Sequence, residues 1–336
     1  MHDLAEITTC LPTQNILDVA DVTEPITAPI FEGPPDVIQG LLPRAGELVI
    51  AGATDVGKSL VALEICSALT SDRPLWGELE PTRKANKILY VLGEHYNNVI
   101  KRLWRVTGLP MSDKVLLLGP ERLGYDKWLV MQGRPNLKAI DKFKHWVEGT
   151  DLIVFDPLAS FITGIDSEND NIQMRLVLDT MSLIAQSTGA SCLVLAHQGK
   201  PMIDKSGKEY NRKSYAIRGA SAIEDAATNI FYLARAEGES DAAQKVTDGR
   251  ILALTRRKYK GLAPAEYRLL RDSQTLCHTL LGNRPFAEVI KMDRLGKLAK
   301  LQYALPNLSP HDAIIAVAAI QGCSETTIRR DLGLVK

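Results

Sequence analysis

Gly52-Ala53-Thr54-Asp55-Val56-Gly57-Lys58-Ser59 sets two glycines, a lysine and a hydroxyl at the spacing GxxxxGKS. Residues of these types in this order suit the capture of a polyphosphate. The glycines let successive backbone N–H groups turn inward around phosphate oxygens, at the positive end of a following helix. Lys58 would contact the β- and γ-phosphates of a nucleotide, and the Ser59 hydroxyl would ligate Mg²⁺. An ordinary glycine-containing turn is the plain alternative. The flanks favour the phosphate loop: the run Glu47 to Gly52 reads as a buried strand, and Lys58 to Leu69 has helical periodicity.

Three further polar residues follow apolar runs. Asp156 ends Leu152-Ile153-Val154-Phe155, and a carboxylate at the C-terminal end of a buried parallel strand faces a ligand crevice. It would hold the Mg²⁺ shell beside Ser59, or else only cap a turn. Glu94 follows Ile88 to Gly93. It can polarise an attacking water, or simply stabilise the first turn of the next helix. His197, followed by Gln198, ends Cys192 to Ala196. A histidine there is either structural or a sensor of the γ-phosphate.

The elements that must position these residues alternate along the chain. Strands are expected at 47–52, 87–92, 115–118, 151–155, 191–196, 229–233, 250–254 and 266–270, with helices at 58–69, 97–106, 136–147 and 172–187. Strands apolar on both faces and separated by helices imply a twisted, mostly parallel α/β sheet covered by helices on both faces. Residues 1–40, rich in Thr, Pro, Asp and Glu, read as a partly flexible N-terminal arm, and 41–275 as the core. Residues 276–336 read as a small helical C-terminal extension. Ser309-Pro310 is an N-cap with proline at the first helical position, and Ser324 can cap a second short helix. The pair resembles a helix-turn-helix, with Thr326, Thr327, Arg329 and Arg330 on its second helix, or it is a hairpin packed on the core.

Bulk properties exclude some classes. The 336 residues carry zero formal net charge, so no global field draws the chain to nucleic acid or to anionic membrane, and any polyanion surface must be local. The five cysteines are scattered without zinc spacing, which suits a reducing compartment. With no secretory pattern at the N-terminus and no apolar run of membrane-spanning length, a cytoplasmic protein without a membrane partner is expected.

With these elements in order, the chain resembles the RecA/DnaB-like ATPases over roughly residues 40 to 260, and among them the RepA-type hexameric replicative helicases of plasmids and phages. Glu94 after the second strand points to the RecA branch. The resemblance implies a RecA-like fold, ATP with Mg²⁺, a homo-oligomeric ring and single-stranded DNA. The stretch Arg218 to Ala227 is similar to a family segment preceding a helix and a strand. Ile251 to Lys258 is similar to the strand whose end delivers a cation to the neighbouring subunit's ATP. Arg256, Arg257 and Lys258 are all candidates for that finger, or they are a solvated basic strand end.

The loop after His197 carries Lys200, Lys205, Lys208, Arg212, Lys213 and Arg218 against Asp204 and Glu209. A basic loop next to a γ-phosphate sensor suits gripping a nucleic-acid backbone, although a merely solvated loop has the same composition. The acidic loop Gly164 to Asn171 would not help. A replication partner can be expected at the C-terminal extension. The expected function is a ring motor on single-stranded DNA. The alternatives are a recombinase-like or recombination-mediator ATPase, and a non-motor ATP switch whose tail docks a partner or DNA. No residue in the sequence identifies the base of the nucleotide.

Overall fold

Alternate residues of Glu47–Gly52 (β1) leave opposite sides of the strand, and each side enters a different core. Leu48 and Ile50 pack among Val61, Leu63 and Ile65 of helix α1 (Lys58–Thr70) and Trp104 of α2 (Asn97–Thr107). Val49 and Ala51 pack instead with Phe143 of α3 (Leu137–Trp146) and Val177, Leu178 and Met181 of α4 (Asn171–Gln186). A strand that is apolar from Leu48 to Ala51 is therefore sandwiched between two helical layers. Each fully buried aliphatic side chain there contributes roughly 1.5–3 kcal/mol over leaving it in water.

The computed structural model describes residues 36–94, 97–110, 112–163, 171–197, 202–203, 209–210, 223, 226–235, 251–259, 266–284, 298–321, 324–332 and 334. The remaining strands are β2 (Ile88–Leu92), β3 (Val115–Leu118), β4 (Leu152–Asp156), β5 (Ser191–His197), β6 (Asn229–Arg235), β7 (Ile251–Tyr259), β8 (Glu266–Arg271) and β9 (His278–Arg284). They form one nine-stranded sheet in the order β9-β8-β7-β6-β1-β5-β4-β2-β3. From β6 to β3 all pairings are parallel. From β6 to β9 they are antiparallel. This is the expected α/β fold, a RecA-like P-loop sheet with helices on both faces, extended by an antiparallel flank. Every parallel strand ends at the same edge of the sheet, which gathers Gly52, Leu92, Asp156 and His197 there.

The sheet continues beyond the expected boundary at 275. β9 was not visible as a strand because His278-Thr279-Leu280-Leu281-Gly282-Asn283-Arg284 offers only two large apolar residues in a row, and an edge strand needs little more. Its turn carried a readable signal: Asp272 Oδ1 accepts hydrogen bonds from Gln274 N at 2.9 Å and Thr275 N at 2.7 Å, a local aspartate turn. At the other end, residues 36–40 of the expected arm belong to the core. Val37 and Ile38 are buried, and Thr82 N donates to Val37 O at 2.8 Å. The arm up to residue 35 lies outside the described residues.

In the C-terminal extension, α5 (Pro310–Gln321) begins at Ser309, whose Oγ accepts from Asp312 N at 3.1 Å, and α6 (Glu325–Asp331) begins at Ser324, whose Oγ accepts from Thr327 N at 3.3 Å. Ile314, Val317 and Ile328 form a third cluster with Ile251 and Ala253 of β7 and Leu281 of β9. Among the described residues, no helix is long and apolar enough to cross a membrane.

Candidate functional site

The loop between β1 and α1 reverses direction with Asp55 at φ 61° and Gly57 at φ 110°, the left-handed region that glycine enters without a Cβ penalty. Gly52 is needed for a different reason. A Cβ there would lie 2.4 Å from the Leu233 carbonyl oxygen of β6. α1 starts with no side-chain cap, so its first N–H groups have no side-chain acceptor and form an anion-binding terminus.

Lys58 is buried, and its Nζ donates to the carbonyl oxygens of Gly52 at 3.0 Å and Ala53 at 2.7 Å. Burial lowers its pKa to about 8, partly offset by the charges of Asp156 and Asp55. An incoming phosphate would relieve that penalty by supplying negative charge. Next to it, Ser59 Oγ donates to Asp156 Oδ2 at 2.8 Å, and Tyr90 OH donates to the same oxygen at 2.8 Å. Burial raises the Asp156 pKa, while those two hydrogen bonds and the Lys58 charge oppose the rise.

His197 Nδ1 lies 3.5 Å from Lys58 Nζ, and burial, then the Lys58 charge, holds its pKa below the usual histidine range. Glu94, half-buried past the end of β2, accepts a hydrogen bond from Ser160 Oγ at 3.2 Å. Lys127 Nζ donates to the neighbouring Gly93 carbonyl at 3.2 Å. The structure thus brings together Gly52, Ala53, Thr54, Asp55, Val56, Gly57, Lys58, Ser59, Asp156, Glu94 and His197 at one edge of the sheet.

Mg²⁺ is tested by the donor set. Asp156 and Ser59 are hard oxygen ligands in contact, and the second Asp156 oxygen accepts no hydrogen bond from the described residues. Mg²⁺ is bound through one or two carboxylates plus substrate phosphates and waters, so the residues fit it. Among the described residues no group of three or more His, Cys, Asp or Glu forms a metal cage, as expected for an ion shared with a nucleotide.

Other expected residues lie elsewhere. Arg256 pairs with Phe231, and Arg257 falls at the irregularity between Ile230 and Phe231. Because β7 runs against β1, these residues and Lys258 sit toward the end of the sheet opposite to the phosphate loop of their own chain. Their side chains are outside the described residues, as are Lys200, Lys205, Lys208, Arg212 and Lys213. Of that loop only a short antiparallel pair, Met202–Ile203 with Glu209–Tyr210, is described.

Tyr90, Ser160 and Lys127 were missed by sequence reasoning. Tyr90 is the one polar-tipped residue in the buried strand Ile88-Leu89-Tyr90-Val91-Leu92, and a buried hydroxyl needs a partner, which was the available signal. Ser160 and Lys127 each reach the site from a short 3₁₀ segment and leave no pattern.

A family model described as the AAA domain matches residues 13–202, more than half of the chain.

Proposed function

Because the chain belongs to the AAA-domain family of P-loop ATPases, we propose that it hydrolyses Mg-ATP at the loop Gly52–Ser59 and couples this to movement along single-stranded DNA as a homo-oligomeric, hexameric ring. The observation that carries the ATPase chemistry is the contact of Ser59 with Asp156 beside an uncapped helix N-terminus and a desolvated lysine.

The roles follow from chemistry. The loop amides from Ala53 to Gly57 take the phosphate oxygens, and Lys58 exchanges its two carbonyl partners for β- and γ-phosphate oxygens. Ser59 and Asp156 hold the metal, and Tyr90 fixes the orientation of the carboxylate. When bound, Mg²⁺ neutralises charge that develops between the β- and γ-phosphates. Glu94, oriented by Ser160, accepts the proton of the attacking water. His197, against Lys58, responds to the presence of the γ-phosphate and leads into the basic loop carrying Lys200, Lys205, Lys208, Arg212 and Lys213. That loop grips the DNA backbone.

Arg256 or Arg257 of a neighbouring copy supplies the finger. β7 carries Arg256 and Arg257 back from the phosphate-loop edge, to the level of Ile50 and beyond, which supports delivery in trans. The C-terminal extension offers a docking surface for a replication partner. The DNA motor rests on the family resemblance and on the charge of the loop after His197.

Steady-state ATP hydrolysis with and without single-stranded DNA, with Lys58→Ala as the blank, tests both levels. Hydrolysis should be stimulated by DNA and lost in the blank. Arg256→Ala or Arg257→Ala should lower turnover by on the order of 10³ with nucleotide binding kept. A rate indifferent to DNA overturns the motor and favours an ATP switch. Full activity of the Arg256→Ala, Arg257→Ala and Lys258→Ala variants overturns the trans finger.

A further inference from the structure

The parallel side of the sheet stops at β3, which among the described residues pairs only with β2. Ile88 N donates to Lys114 O at 2.8 Å. Alternation along the strand then turns Leu116 and Leu118 toward β2. It leaves the Leu117 N–H and C=O, with the Val115 carbonyl, on the open edge. The side chains are also poorly covered. β2 is buried throughout, whereas in β3 only Leu118 is buried and Leu116 is 44 % exposed. An apolar strand with an open edge is a template for pairing with another extended chain.

A cavity of about 750 Å³ runs along this edge and reaches both faces of the strand. On one face Val115 and Leu117 pack with Ile100 and Trp104 of α2. On the other, Leu118 and Trp146, the last residue of α3, belong to the second core. The charges around it have one sign: Lys87, Lys101, Arg105 and Arg122 are on its walls, and no Asp or Glu is. Lys87 Nζ is occupied, donating to the carbonyl oxygens of Trp146 at 3.0 Å and Glu148 at 2.6 Å. Lys101, Arg105 and Arg122 are exposed, and among the described residues no ion pair or hydrogen bond engages their side chains. α2 returns from the end of β2 toward the start of β3, so Arg105 lies near the first residues of that strand, while Arg122 follows its last.

These charges discriminate between occupants. A second copy pairing through the same edge would set Lys101, Arg105 and Arg122 against their own counterparts, and like charges repel. Nucleic acid would need an aromatic face, but Trp104 is 8 % exposed and its Nε1 donates to Leu109 O at 3.2 Å, which holds the ring in the core. We propose that the open edge of β3 binds an extended, acidic segment of a partner protein by strand addition. The backbone of that segment pairs with Leu117, and its central apolar side chains cover Leu116 and Ile100. Carboxylates toward its two ends meet Arg105 and Arg122. Main-chain hydrogen bonds then give affinity, and the flanking cations give specificity.

Fluorescence anisotropy on the intact protein tests this with a labelled peptide of four valines between two pairs of glutamates. Lysines in place of the glutamates should weaken binding about tenfold. N-methylation of alternate valines should do the same, because it removes the strand hydrogen bonds. Arg105→Glu should weaken the glutamate peptide about tenfold and leave ATP hydrolysis within about twofold, since Arg105 is outside the nucleotide site. If Arg105→Glu loses thermal stability, Arg105→Gln, which keeps the side-chain stem, carries the comparison with an expected loss of about threefold. Equal affinity for the glutamate and lysine peptides, or full tolerance of N-methylation, overturns the proposal. Arg105→Glu weakening a labelled thymidylate oligomer as much as the peptide would make the edge a nucleic-acid surface. A sedimentation coefficient altered by Arg105→Glu would give the edge to a second copy. Either result overturns the partner segment.

Discussion

Six strands of the sheet run parallel and three form an antiparallel flank, and the two groups use their ends differently. In the parallel part every strand delivers its last residue to one edge, so Gly52, Asp156, Glu94 and His197 meet without any side chain having to reach far. In the flank the direction alternates. Arg256 and Arg257, late in β7, are carried away from the loop of their own chain, while Arg271 at the end of β8 is carried to it. A cation at a strand end can thus be assigned to a site only after the direction of its strand is known. The parallel part gathers the residues proposed to handle the phosphates and the attacking water, and the flank grips the helix that follows the loop through Glu64.

This division can be tested by substitutions that act on one part and spare the other. The largest effect belongs to the parallel part. Glu94→Gln should lower kcat by on the order of 10²–10⁴ and leave ADP binding near wild type, because it removes the proton acceptor and little else. A kcat within fivefold of wild type would mean that another group accepts the proton.

Next comes the flank, where the loss is one of stability. Glu64 in α1 is buried and accepts hydrogen bonds from Trp76 Nε1 at 3.1 Å, His278 N at 2.6 Å and His278 Nδ1 at 2.8 Å. Glu64→Ala strands these donors in the interior and should cost about 3 kcal/mol, seen as a lower urea midpoint. A midpoint unchanged from wild type would show that the flank is not held by this carboxylate.

The smallest change is Tyr90→Phe, which removes one donor from Asp156. It should raise the Mg²⁺ concentration for half-maximal hydrolysis about tenfold at unchanged folding stability. An unchanged Mg²⁺ requirement would take Tyr90 out of the site.

Legibility followed the same division. Parallel strands are buried on both faces, so 48–51, 88–92, 152–155 and 192–196 read as largely apolar runs, and Asp156 and His197 at the ends of two of them, with Glu94 just past a third, stand out. The flank is closer to an edge and its signal is weaker. β9 resembles a loop in sequence, and the arrival of Arg271 near the start of α1 depends on a chain of antiparallel pairings that no local pattern contains. Contacts such as Tyr90 with Asp156 or Ser160 with Glu94 join residues 66 positions apart in each case, a separation over which sequence periodicity says nothing.

The Glu64 cluster has a mechanical consequence. One carboxylate ties the helix that follows the phosphate loop to the outermost strand, and Leu280 N adds a hydrogen bond to Trp76 O at 3.2 Å. α1 and the flank therefore form one rigid block, with the loop as its leading edge. The carboxylate works as a rivet: a shift imposed on the first helix at its phosphate-loop end would be handed to the outermost strand, on the far side of the flank, rather than absorbed between them.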